Sequence, residues 1–171
     1  METQEKYLVY IVDDDELFLS SLKHQLESKW QEHLEVKTFH TGEEMLKYMP
    51  EQKPEIIILD YILNSKYPYA MDGALALQKI KQIYPDIKVI MLSGQCKIQV
   101  ALDIMQNGAF DYIIKNDNVF LKMHSSVKKA IGSISDHERS KKYWMWAGAT
   151  ILLAGLTTTS VWMIKLLFFA N

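Results

Sequence analysis

A chain of 171 residues with 49% hydrophobic content is long enough for one domain with a sizeable core and too apolar for an intrinsically disordered segment. Its 19 Lys+Arg against 21 Asp+Glu leave a formal charge of -2, so no broad basic field attracts nucleic-acid phosphates, and nucleic acid is excluded as an expected partner. The single cysteine, Cys96, has no partner for an intramolecular bridge and fits a reducing compartment. The opening METQEKYLVY lacks the basic and apolar regions of a secretory signal, which places the bulk of the chain in the cytoplasm.

The first apolar run, Tyr7–Val12, ends at Asp13 and Asp14. A helix should follow, with Asp15 at its start and Phe18, Leu19, Leu22 and Leu26 on one face. Residues 36–39 read as a short second strand, and Thr41-Gly42-Glu43-Glu44 carries a hydroxyl cap with a carboxylate three residues on, the capping-box pattern. Pro50 and Pro54 bracket the loop into a third run, 56–59, which ends at Asp60. Asp72 can cap a third helix containing Leu75, Leu77, Ile80 and Ile83, which Pro85 keeps from continuing into the next run. That fourth run, 89–92, ends at Ser93. A helix over 98–105 stops at Asn107-Gly108, a left-handed stop signal, and the fifth run, 112–114, ends at Lys115. Asn116 or Asp117 can cap a last helix reaching about residue 131.

Continuous β-branched runs suit strands buried on both faces of a parallel sheet, and strands alternating with helices make βαβ units. The expected fold is therefore α/β, a doubly wound sheet of five strands with five helices. Ligand chemistry in such sheets gathers beyond the carboxyl ends of the strands, so Asp13, Asp14, Asp60, Ser93 and Lys115 should meet on one edge.

Beyond Gly132 the apolar period fades, and residues 133–142 read as a polar and basic connector after a globular domain spanning 1–132. No charged residue occurs over 143–164, about 22 residues, enough at helical rise to span a bilayer core. Tyr143, Trp144, Trp146 and Trp162 resemble interfacial aromatic belts, and Arg139, Lys141 and Lys142 precede the stretch. The sequence thus predicts a membrane-spanning tail anchor over 143–169 and placement on the cytoplasmic membrane, single-pass, with the domain facing the cytoplasm. Thr150, Ala154 and Thr158, spaced by four, leave a homodimer through this segment open.

Three carboxylates a few ångströms apart repel one another and need a cation; a hard, oxygen-preferring ion such as Mg²⁺ is the natural guest. Lys115 would add a point charge for a phosphoryl oxygen. With IVDDDE, IIILDY, VIMLSG and GAFDYIIK in this order, residues 6 to about 131 resemble the receiver domain of two-component response regulators. The resemblance implies a flavodoxin-like sheet in the order 2-1-3-4-5. It makes Asp60 the phosphoacceptor, gives Mg²⁺ to Asp13, Asp14, Asp60 and the backbone carbonyl of Ile62, and gives the phosphoryl group to Ser93 and Lys115, with Tyr112 as the switch aromatic. It also implies a sensor histidine kinase or phosphotransfer protein as donor, a downstream protein target, and a role as Mg²⁺-dependent phosphoacceptor and not as an enzyme.

Two departures stand out: extra residues over 64–70, and Asn116 after Lys115 where the family usually has proline. Ile62 is apolar at a position that tunes hydrolysis in the family, which predicts a long-lived phosphoryl state. The alternative reading is a receiver-like membrane scaffold that is not phosphorylated; the complete acidic set argues against it. A metal-dependent phosphohydrolase would need a cap and a further acid/base carboxylate. His24, His33, His40, His124 and His137 show no phosphotransfer or metal spacing and are expected to be solvated.

Overall fold

The computed structural model describes residues 6–67, 69–94 and 97–169, with the side chains of residues 142 and 148–169 outside that description. Cys96, the first residues of the opening segment and the small residues Thr150, Ala154 and Thr158 therefore fall outside it. The chain divides into two compact units, Met1–Ile131 and Gly132–Asn171.

In the first unit, five strands and four helices alternate before a fifth helix begins. In chain order these are β1 (Tyr7–Val12), α1 (Glu16–Trp30), β2 (Leu34–Phe39), α2 (Gly42–Tyr48), β3 (Ile56–Asp60), α3 (Gly73–Ile83), β4 (Lys88–Ser93), α4 (Ile98–Gln106), β5 (Asp111–Ile114) and α5 (Val119–Phe169). All strand pairs are parallel and the order is β2-β1-β3-β4-β5, the doubly wound arrangement expected. Every residue of β3 is buried, as are the last five of β1 and of β4, because helices cover both faces of these central strands.

Local chemistry starts and stops the helices. Asp15 accepts from the amides of Leu17 at 3.0 Å and Phe18 at 3.2 Å, and Asp72 accepts from that of Leu75 at 2.8 Å. Each satisfies a donor that the first helical turn leaves unpaired. Thr41 accepts from the Glu44 amide at 3.2 Å; the Glu44 carboxylate reaches back to the His40 amide, one residue beyond the partner a capping box would give it. Gly108, at φ 90°, ends α4 in the left-handed region that glycine adopts without strain.

Burial on the helices departs from the expected faces. On α3 the buried positions are Gly73, Ala76, Leu77 and Ile80, while Leu75 and Ile83 are 43% and 62% exposed. The face is set by how closely the helix approaches the sheet, and small residues decide that. On α1, Leu19, Leu22 and Leu26 are buried, whereas Phe18 lies at the edge and stacks on Phe120, with ring centroids 6.0 Å apart.

The second unit is helical, a continuation of α5. Residues 133–142, expected as a polar and basic connector, have helical backbone: one glycine costs only about 1 kcal/mol in a helix, no proline follows, and Ser135 Oγ donates to the Gly132 carbonyl at 2.9 Å. The membrane-spanning helix and the cytoplasmic-membrane placement are corrected: among the described residues no helix is long and apolar enough to cross a membrane. Of the 143–164 stretch, only Tyr143 to Ala147 have described side chains.

Gly73 brings the first turn of α3 onto the backbone of the β3 carboxyl end. Its amide donates to the Tyr61 carbonyl at 2.9 Å, and a Cβ there would stand 2.0 Å from the Asp60 carbonyl oxygen and 2.8 Å from Tyr61 Cα. Because both obstacles are backbone, Gly73→Ala should destabilise the protein by at least about 2 kcal/mol, read as a lower midpoint in chemical denaturation. Gly94→Ala, where a Cβ meets nothing within 4 Å, serves as the control.

Candidate functional site

Parallel pairing in register brings the strand ends together. Val12 pairs with Leu59, Asp60 with Leu92 and Ser93 with Ile114, so the residues that end or follow these strands lie along one edge. Asp13, Asp14, Asp60 and Ser93 are all buried there, and one carboxylate oxygen from each aspartate lies within 4.8 Å of the others. Lys115, just beyond β5, places Nζ 2.7 Å from Asp13 Oδ2 and 2.9 Å from Asp60 Oδ1. The ammonium also sits 4.6 Å from the centre of the Phe18 ring, which favours the cation through its π face.

Each carboxylate has its own surroundings. Burial, then the charge of Asp13, pushes the Asp60 carboxyl up to about 6, even though Lys115 pulls the other way. Burial also raises Asp13 against the pull of Lys115. For Asp14 burial is outweighed: a hydrogen bond from Ser65 Oγ and one of 2.8 Å from the Lys66 amide hold it below the usual carboxylate range. Burial opposes the charge of Lys115, but Asp60 and Asp13 overcome it and hold the lysine above its ordinary value. Asp13 Oδ1 further accepts from the Asp15 amide at 3.0 Å.

The donor set, three clustered carboxylates with oxygens left over after these hydrogen bonds, fits a hard divalent cation. Ile62 lies two residues past Asp60 and is half-buried. Tyr112, in β5 opposite Met91, is partly buried and packs against the core. Among the described residues no peptide bond is cis, Lys115-Asn116 included.

A profile of the response regulator receiver domain matches residues 9–123. The chain belongs to this family. It is the receiver domain of a two-component response regulator, and the acidic pocket agrees with a phosphoacceptor function. Receiver domains bind Mg²⁺ at such a pocket and interact with histidine kinases or phosphotransfer proteins. Among curated proteins, protein-glutamate methylesterase/protein-glutamine glutaminase 1 of Carboxydothermus hydrogenoformans is 32% identical over 128 residues, 74% of this chain and 35% of that protein. The DNA-binding transcriptional regulator NtrC of Escherichia coli (strain K12) is 32% identical over 109 residues, 63% of this chain and 21% of that one. The chain thus spans about a third or less of the curated relatives it matches. Among solved structures, a CheY-like response regulator receiver domain protein from Methanospirillum hungatei superposes with a TM-score of 0.65 at 26% identity, over 77% of this chain and 99% of the other.

Sequence reasoning missed the Ser65 hydroxyl and the Lys66 amide on Asp14 and Phe18 beside Lys115, and, on the same loop, the Met71 amide that donates to the Glu43 carboxylate at 2.7 Å. Only the extra length of the loop hinted at the first. Two histidines are also less solvated than expected: His40 and His124 each bury Nδ1 with no hydrogen-bond partner among the described residues, and burial, helped by Lys29, lowers the His124 pKa.

Folding raises the Asp60 pKa, so between about pH 4 and about pH 6 the folded state holds more protons at this site than the unfolded state. This site's contribution to stability therefore falls as pH rises through that window and is constant above it. Asparagine mimics the protonated acid. In the metal-free protein, Asp60→Asn should be more stable than wild type at neutral pH by about 1–2 kcal/mol, with the difference vanishing near pH 4, as measured by urea denaturation at each pH.

Proposed function

We propose that Asp60 accepts a phosphoryl group from a phosphohistidine of a sensor histidine kinase or phosphotransfer protein, and that the phosphorylated receiver signals through protein contacts. In this reading residues 1–132 form the receiver, and Mg²⁺ is held by the carboxylates of Asp13, Asp14 and Asp60 and the backbone carbonyl of Ile62. The observation that carries the proposal is the meeting of three buried carboxylates with a lysine that bonds two of them at 2.7 and 2.9 Å.

An Asp60 carboxylate oxygen attacks phosphorus, a P–O bond forms, and the P–N bond of the donor breaks with its electron pair leaving on the imidazole. When bound, Mg²⁺ neutralises negative charge on the carboxylates and on the phosphoryl oxygens. Lys115 already stands at Asp60 and Asp13, so it meets the incoming group with a positioned charge and little reorganisation. Ser93, buried at the end of β4, bonds a phosphoryl oxygen that exists only in the phosphorylated state. That differential contact biases the β4 end and the Tyr112 side chain toward a second arrangement.

Incubating the full chain with acetyl phosphate and Mg²⁺, followed by a phosphate-affinity gel, should give a retarded band for wild type and none for Asp60→Ala. A wild-type band that fails to shift refutes the proposal. The apolar Ile62 should make the acyl phosphate long-lived, so Ile62→Asn should shorten the decay of the retarded band by about tenfold, a change of roughly 1.4 kcal/mol in the barrier to hydrolysis.

A further inference from the structure

The loop between β3 and α3 is one of two places where the sequence departs from the receiver pattern, and it reaches into the acidic pocket. Ser65 Oγ and the Lys66 amide both donate to one oxygen, Asp14 Oδ2, the latter at 2.8 Å. Both residues are exposed, so no burial of their own side chains holds them there. The far end of the loop is fixed separately: the Met71 amide donates to Glu43 Oε1 at 2.7 Å and the Gly73 amide to the Tyr61 carbonyl at 2.9 Å.

Lys115 pairs with Asp13 and Asp60, and those contacts set the orientation of both carboxylates. It makes no such ion pair with Asp14, whose carboxylate is oriented by the loop together with a hydrogen bond from Asp14's own amide. A carboxylate oxygen offers about two lone-pair positions, and Oδ2 of Asp14 meets two donors, so Oδ1 is the oxygen the loop leaves for a cation. Hydrogen bonds that orient a metal ligand govern affinity although they never touch the ion.

We propose that Ser65, together with the Lys66 amide, is a positioning residue for the divalent-cation site, holding the Asp14 carboxylate so that Oδ1 faces the ion. The inserted loop is then part of the metal site's support and not a passive surface extension. This rests on reading the pocket as a Mg²⁺ site.

The test uses the full chain at neutral pH, with MgCl₂ titrated into wild type, Ser65→Ala and Ser65→Thr and binding followed by the amide chemical shifts of Asp14 and Lys66. Ser65→Ala should raise the Mg²⁺ dissociation constant about tenfold, and Ser65→Thr, which keeps the hydroxyl, should stay within about twofold of wild type. The thermal midpoint of the metal-free protein should fall slightly in Ser65→Ala, because the lost hydrogen bond no longer favours the folded Asp14 carboxylate, and stay at the wild-type value in Ser65→Thr. An unchanged or tighter dissociation constant in Ser65→Ala, or a lowered midpoint with unchanged affinity, overturns the positioning role while leaving the cation site standing. Absence of Mg²⁺ binding to wild type overturns both.

Discussion

One ammonium group holds the functional edge together. Asp13 and Asp60 are buried side by side, and like charges at such a distance repel by about 1 kcal/mol in water and several times more where solvent is scarce. Lys115 Nζ lies within hydrogen-bonding distance of both, and Phe18 shields one side of the pair from water. Removing a single partner from a buried ion pair typically costs roughly 3–5 kcal/mol, because it leaves the other charge uncompensated. The pocket is therefore stable only while positive charge is present, and a bound cation would share that task.

The sheet makes the arrangement possible. Parallel strands in register put the first polar residue beyond each apolar run on the same edge, and covering both faces of β1, β3 and β4 leaves the carboxyl ends as the outlet for polar chemistry. Gly73 adds a second constraint from the opposite direction, since its missing side chain lets α3 begin against the backbone of Asp60 and Tyr61. The phosphoacceptor candidate is thus fixed in its main chain while its side chain stays strained electrostatically, with a carboxyl pushed up to about 6. Perturbation of this kind clusters at functional positions, although structural ion-pair networks produce it too.

The loop from β3 to α3 joins two other elements of the domain. It is tied to the β1 end through Asp14 and to α2 through Glu43. The curated relatives match this chain over 128 and 109 residues. They are also much longer proteins, of which this chain spans about a third or less, so what their remaining parts do belongs to them.

Strand runs, helix caps and the order of polar endings could be read directly from the sequence, because each depends on neighbours a few residues away: Asp15 and Asp72 cap with amides two or three positions on, and Gly108 needs only its own φ. The acidic set and its lysine were legible for the same reason, as residues following apolar runs. Tertiary structure alone decided that Leu75 and Ile83 face outward, that Lys115 bonds Asp13 as well as Asp60, and that Ser65 finds Asp14 from 51 residues away. Short-range hydrogen bonding and periodicity are written into adjacent positions. Contacts across the sheet depend on where packed elements bring distant loops, and no local pattern encodes that.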